Sequence, residues 1–162
     1  MIWLILALGL ILRLISLNQS FWLDEATSAT VVKTLNFGEI ITKFAPGDFH
    51  PPFYYLLLKS WRIPFGVSEI STRALSILAS LATIYVIYLI GKQIKNKAFG
   101  ETAAILMATA PLFVYYSQEA RMYALATFLV TLLVYLFIKE KWLGFAVTLA
   151  LVGMTDYLAL LI

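Results

Sequence analysis

The sequence predicts an all-α membrane protein, with about five transmembrane helices and a long outer loop of short interfacial helices after the first. Three observations carry this. Of 162 residues, 62% are hydrophobic and only 13% charged, against roughly 45–50% and about 25% in soluble domains. The mean hydropathy is +0.89. The apolar residues gather in long runs divided by short charged stretches, where a soluble helical protein would show narrow stripes. Without cysteine, neither a disulfide framework nor a thiolate metal site is available. The net charge of +3 and pI near 9.1 would suggest nucleic acid in a soluble chain. Here the basic residues cluster between apolar runs, which cytoplasmic loops explain, so no nucleic-acid partner is expected.

Residues 1–17 are apolar apart from Arg13 and form the first predicted span. The first charge comes too late for a basic signal-peptide n-region, and no small-x-small cleavage site follows, so this segment reads as a retained anchor. Arg13 then either snorkels to the interface or faces a polar cavity, since an unpaired cation in lipid is costly.

Residues 18–72 are too mixed to span. Residues 24–35 have the composition of a short amphipathic helix, which Asn36-Phe37-Gly38 interrupts. Residues 39–44 give another turn or two, and Ala45-Pro46-Gly47-Asp48 is a turn. The aromatic run 53–63 is too short to cross and should lie in the interface, where Tyr and Trp are enriched.

Residues 74–91 are uncharged and make the second predicted span; 102–118, 122–138 and 142–162 make the third, fourth and fifth. Lys92, Lys95 and Lys97 mark one short basic loop and Lys139 and Lys141 the next. The outer loop carries about as many basic residues at far lower density, so the short loops belong in the cytoplasm. The Asp24 loop and the Ser117–Arg121 turn then share the outer face. Because the chain ends inside an apolar segment, it reads as the N-terminal part of a longer polytopic protein, inactive alone.

Asp24-Glu25 is the most chemical dipeptide in the chain. Adjacent carboxylates repel, and a mere turn would be better made from Ser, Asn or Gly. They are either an N-cap and first-turn acid of the following helix, or carboxylates held at the water–lipid boundary as a base or cation ligand. His50 before Pro51-Pro52 is a turn residue or a donor to phosphate or sugar. With one His and no Cys, a zinc site has too few ligands. Glu119 and Arg121 could be a surface ion pair of little value. Yet Tyr115, Tyr116 and Tyr123 crowd around Ser117, Gln118, Glu119 and Arg121, offering stacking faces, donors and a planar cation suited to phosphate. No glycine-rich nucleotide cradle is present. Asp156, in the last apolar run, is either functional or at the interface.

Trp22-Leu23-Asp24-Glu25-Ala26, then His50-Pro51-Pro52-Phe53-Tyr54-Tyr55, then Tyr116-Ser117-Gln118-Glu119-Ala120-Arg121-Met122-Tyr123 resemble, in order and spacing, motifs of GT-C membrane glycosyltransferases related to the dolichyl-phosphate-mannose protein mannosyltransferases. The resemblance covers essentially the whole chain as the N-terminal portion of such an enzyme. It implies inverting transfer of a sugar, hexosyl or pentosyl, from a polyprenyl-phosphate carrier to a protein, lipid or glycan acceptor. The site would face the periplasmic or extracellular side of a multi-pass cell-membrane protein surrounded by membrane lipids. It marks Asp24 as catalytic base with Glu25 in support. His50, Tyr54, Tyr116, Gln118, Glu119, Arg121 and Tyr123 would bind substrate, Arg121 at the lipid phosphate. It assigns no definite cofactor, and a divalent metal is compatible with the carboxylates. Many relatives carry His-Tyr where this chain has Asp156-Tyr157, so that His has no counterpart. A transporter or flippase for a lipid-linked or anionic substrate is the alternative, since a charged outer cavity also suits passage. A scaffolding subunit with merely capping polar groups is a third.

Overall fold

A computed structural model describes residues 1–15 and 17–161. Ser16 and Ile162, which fall in the predicted first and fifth spans, lie outside the described residues. The chain is all-helical: α1 (Ile2–Leu14), α2 (Leu23–Thr34), α3 (Phe37–Glu39) running on through a π turn (Ile40–Phe44) and a 3-10 turn (Ala45–Gly47), α4 (Phe53–Phe65), α5 (Glu69–Ile94), α6 (Lys97–Thr109), α7 (Pro111–Ser117), α8 (Tyr123–Ile138), α9 (Trp142–Thr155) and a last 3-10 turn (Leu158–Leu161).

Local chemistry explains most boundaries. Asn36 caps α3 reciprocally: its side chain accepts from the Glu39 amide at 2.9 Å, and Glu39 Oε2 accepts from the Asn36 amide at 3.0 Å. Ser68 caps α5 and Asn96 caps α6, each accepting an amide three residues on. At the end of α4, Gly66 adopts φ 82°, the left-handed region where a Cβ would be strained.

α5 is the central post, 26 residues long and about 39 Å at 1.5 Å per residue, with α1, α4, α6, α7 and α8 packed on it. It and α6 form a hairpin whose closest approach is glycine on glycine. A Cβ on Gly91 would lie 2.7 Å from the Gly100 Cα, and one on Gly100 would collide with the Tyr88 carbonyl oxygen.

The crossing predicted for 102–118 is not one helix. α6 starts at Lys97 and stops at Thr109, and α7 leaves it at 61°. Pro111 is the cause: it has no amide proton to donate, and it drives Ala110 into extended backbone, φ −64°, ψ 122°. Arg13 fills the gap. Fully buried, it donates to the Ala108 carbonyl at 2.9 Å, the Gly9 carbonyl at 3.0 Å and Ser80 Oγ at 2.8 Å. A cation at the carboxyl end of α6 also meets the negative end of the helix dipole. Arg13 thus faces a polar niche in the bundle rather than snorkelling outward.

Among the described residues, only α5 is by itself long and apolar enough to cross a bilayer, and the bent α6–α7 pair meets the same test jointly. α1, α8 and α9 are apolar but span 13, 16 and 14 residues. α1 turns Trp3, Leu4 and Ile11 outward, a face suited to lipid.

Two apolar cores result. One joins α1, α5 and α6 through Ile5, Ile84, Tyr88, Ala104 and Ala108. The other mounts the helices of the 18–72 loop, through Val32, Ile40, Tyr54, Tyr55 and Leu58, on Leu75, Met122, Leu125 and Val152 of the bundle. That second core holds the loop 18–72 against the turn between α7 and α8. The opposite end carries Lys92, Lys95, Lys97, Lys139 and Lys141, and there Lys139 donates to Gln93 Oε1 at 2.7 Å.

Candidate active site

α2 begins at Leu23, so its first turn aims successive side chains about 100° apart. Asp24 and Glu25 therefore take different surroundings. Glu25 turns inward and is fully buried. Arg73, on the first turns of α5, meets it with two donors, Nε to Oε1 at 2.8 Å and Nη2 to Oε2 at 2.6 Å. The Ala120 amide donates to Oε1 at 2.7 Å, and the Trp22 amide reaches Oε2 at 3.4 Å. Arg73 also donates to the Leu17 and Gln19 carbonyls, both at 2.7 Å. One ion pair thereby ties three separate pieces of chain: the entry to α2, the head of α5 and the α7–α8 turn.

Asp24 turns outward, its side chain 43% exposed, with Oδ2 4.0 Å from Arg121 Nη2. Arg121 is itself buried. Its guanidinium carbon lies 5.8 Å from the Tyr123 ring centre, and its Nε is buried with no protein acceptor. Beside Arg121 stands Tyr55, whose hydroxyl donates to Asp48 Oδ2 at 2.6 Å. His50 Nδ1 lies 3.8 Å from Asp48 Oδ1. A polar row thus runs Asp24, Arg121, Tyr55, Asp48, His50, drawn from the first loop and the α7–α8 turn. Burial and the neighbouring Asp48 carboxylate push the Tyr55 hydroxyl above its ordinary range, so it stays protonated as a donor.

The other predicted residues divide. Tyr54 is wholly inside the core with its hydroxyl unpartnered. Gln118 donates from Nε2 to the Leu12 and Ile15 carbonyls at 3.2 and 2.9 Å, closing the carboxyl end of α1. Tyr116 packs edge-on against Tyr115 and Tyr123. It also lines an apolar cavity of about 500 Å³ that reaches Asp156, whose carboxylate accepts from the Leu158 amide at 2.8 Å. Glu119 is 6% exposed, and its Oε2 has no protein partner. Its carboxyl pKa is pushed up, first by burial and then by the negative charges of Glu25 and Asp24. Glu119 lines a second, polar cavity of about 260 Å³ with Gln19, Ser20, Trp22, Glu25, Arg73, Tyr115 and Gln118. Among the described residues, no three His, Cys, Asp or Glu side chains converge as a metal site.

Three residues of this site were missed in the sequence. Arg73 reads as the charge that ends an apolar run, and nothing local signals that it answers Glu25. Asp48 reads as a turn residue, although Asp48-x-His50 places two polar groups within reach of each other. Tyr55 was passed over for its neighbour Tyr54, because an aromatic run gives no clue to which ring faces the core.

An all-helical bundle of apolar helices thus brings a carboxylate and a buried arginine together at one end, with aromatic rings around them. The dolichyl-phosphate-mannose-protein mannosyltransferase family matches residues 49–159, more than half of the chain, and the chain belongs to that family of membrane glycosyltransferases. The match begins after Asp24 and Glu25 and includes His50, Tyr55 and Arg121. No curated protein and no solved structure matches the chain significantly.

Proposed function

We propose that the chain is the N-terminal portion of a glycosyltransferase that moves a sugar from a polyprenyl-phosphate carrier to a hydroxyl of a protein, lipid or glycan acceptor, with inversion. The observation that carries this is the meeting of a half-exposed carboxylate, Asp24, with a buried arginine, Arg121, from segments 97 residues apart. Family membership supports the reaction class.

In this reading the acceptor hydroxyl attacks the anomeric carbon from the face opposite the phosphate. Asp24 takes the hydroxyl proton as the new C–O bond forms. The bond from the anomeric carbon to the phosphate oxygen breaks with its electron pair, and polyprenyl phosphate leaves. Arg121 offsets the charge that develops there, through its unpartnered Nε and its outer nitrogens. A phosphate bound by Arg121 on the side away from Asp24 competes for the guanidinium, loosens the 4.0 Å contact and frees the carboxylate for the acceptor. Tyr55 and Asp48 hold the guanidinium from behind, with His50 at the rim. Glu25, with Arg73 and two amides on its oxygens, acts as a positioning residue: it fixes the backbone that presents Asp24 and Arg121. Tyr116 and Tyr123 furnish the apolar wall.

The five-span, multi-pass arrangement belongs to the same proposal. α1, α5, the broken α6–α7 pair, α8 and α9 alternate direction, and five lysines at the end opposite Asp24 support a cytoplasmic assignment for that end. The site then opens on the outer face, at the depth of a lipid-linked headgroup.

The test is sugar transfer by membranes carrying the full gene product. Polyprenyl-phosphate mannose should label an acceptor, and a nucleotide-linked mannose without lipid carrier should not. Transfer from the nucleotide sugar alone would reject the donor class.

A further inference from the structure

We infer that the polar cavity between Trp22, Tyr115 and Glu119 is a carbohydrate subsite that seats a single pyranose ring, with Glu119 accepting a hydrogen bond from a ring hydroxyl. The choice of a sugar as ligand rests on the glycosyl-transfer reading, but the cavity's chemistry points the same way by itself.

Its size admits one small polar molecule. At about 260 Å³ it falls just below the roughly 300–1,000 Å³ of sites for drug-sized ligands, so an oligosaccharide does not fit within it. Its charge is largely spoken for. Glu25 and Arg73 face the cavity but satisfy one another through two hydrogen bonds, and what is left over is Glu119. This carboxyl is 6% exposed, with Oε2 buried and lacking a protein partner, and a buried acceptor without a donor carries a desolvation cost. A ligand hydroxyl would remove that cost. Arg73 cannot do so while it holds Glu25.

The rim has the complementary character. Trp22 is 46% and Tyr115 58% exposed, two large rings left in contact with solvent at the cavity mouth. An aromatic face beside hydroxyl acceptors suits a pyranose, which has an apolar C–H face and a hydroxyl edge. Inorganic phosphate is disfavoured, because the free group in the cavity is an acceptor carrying negative charge. The raised Glu119 pKa agrees with the same surroundings, since burial and the nearby Glu25 and Asp24 charges outweigh the hydrogen bond that Tyr115 gives its carboxylate; only Oε2 is left without a donor. Asp24 and Arg121 act electrostatically on Glu119, so a ring held here is a neighbour of the proposed reaction centre. The subsite therefore reads the identity of the sugar beside the group that transfers it.

The experiment titrates methyl α-D-mannopyranoside into the full gene product in detergent and follows saturation-transfer NMR from protein to sugar. Saturable binding is expected, weakened tenfold or more in Trp22→Ala and Glu119→Ala and unchanged in Gly47→Ala, at a position with nothing within 4 Å. Trp22 presents an exposed ring, so its removal leaves the fold intact even if the buried Glu119→Ala variant fails to accumulate. Equal affinity in Trp22→Ala and the unaltered protein, or no saturable binding, overturns the subsite. An Asp24→Asn protein that still transfers sugar, with binding lost in Trp22→Ala, would overturn the proposed base and leave the subsite standing.

Discussion

Glu25 and Arg73, 48 positions apart, are joined by two hydrogen bonds of 2.8 and 2.6 Å with both side chains buried. Glu25 is thus the hinge pin of the whole site, while its neighbour Asp24 is left to face the outside. Removing one member strands the other charge in a buried place, which costs about 3–5 kcal/mol. Arg73→Ala and Glu25→Ala should each lower stability by that order in a detergent unfolding series. The double variant should lose less than the two added together, because neither charge is then left alone. Additive losses would mean that the two residues act independently.

Glu119 sets a pH dependence with a definite sign. Its carboxyl pKa in the folded protein is raised, chiefly by burial, so folding favours its protonated form. The stability it contributes is complete below the unfolded carboxyl pKa, about 4.3, and is lost as pH rises through the higher folded value. Glu119→Gln, which keeps the shape and drops the charge, should be more stable than the parent at neutral pH. Thermal unfolding at acid and neutral pH checks this, and the advantage should vanish below about pH 4.

Gly100 should tolerate no side chain. A Cβ there would strike the Tyr88 carbonyl oxygen and come within 2.8 Å of the Lys92 amide, both backbone atoms that cannot turn aside. Gly100→Ala should therefore pry α5 from α6 and cost about 1–3 kcal/mol, the usual range for overpacking. Gly47→Ala, with nothing within 4 Å, is the control and should leave the unfolding midpoint in place.

Much of this architecture was legible in the sequence because lipid and interface leave strong compositional marks. The helix read at 24–35 appears as α2 and the aromatic run 53–63 lies in α4, each within two residues, since their limits are set by local breakers: Asn36, Pro52 and Gly66. The break at Pro111 was equally local, but an uninterrupted apolar run outweighed one proline. The partners were harder to see. Gln118 reads as a substrate ligand and its amide also closes α1, a role no motif shows, because the two free carbonyls it meets at Leu12 and Ile15 exist only once the helices are packed. Arg73 and Asp48 escaped for the same reason. A motif reveals which residue types gather, and the fold decides which of them are left unpaired to act.

Asp24→Asn in the full gene product tests the central claim most directly. The variant keeps the size of the side chain and removes its capacity to take a proton. Membrane insertion should be unaltered, while transfer from polyprenyl-phosphate mannose falls about a hundredfold or more, the usual worth of a general base. Undiminished transfer by Asp24→Asn would contradict the account.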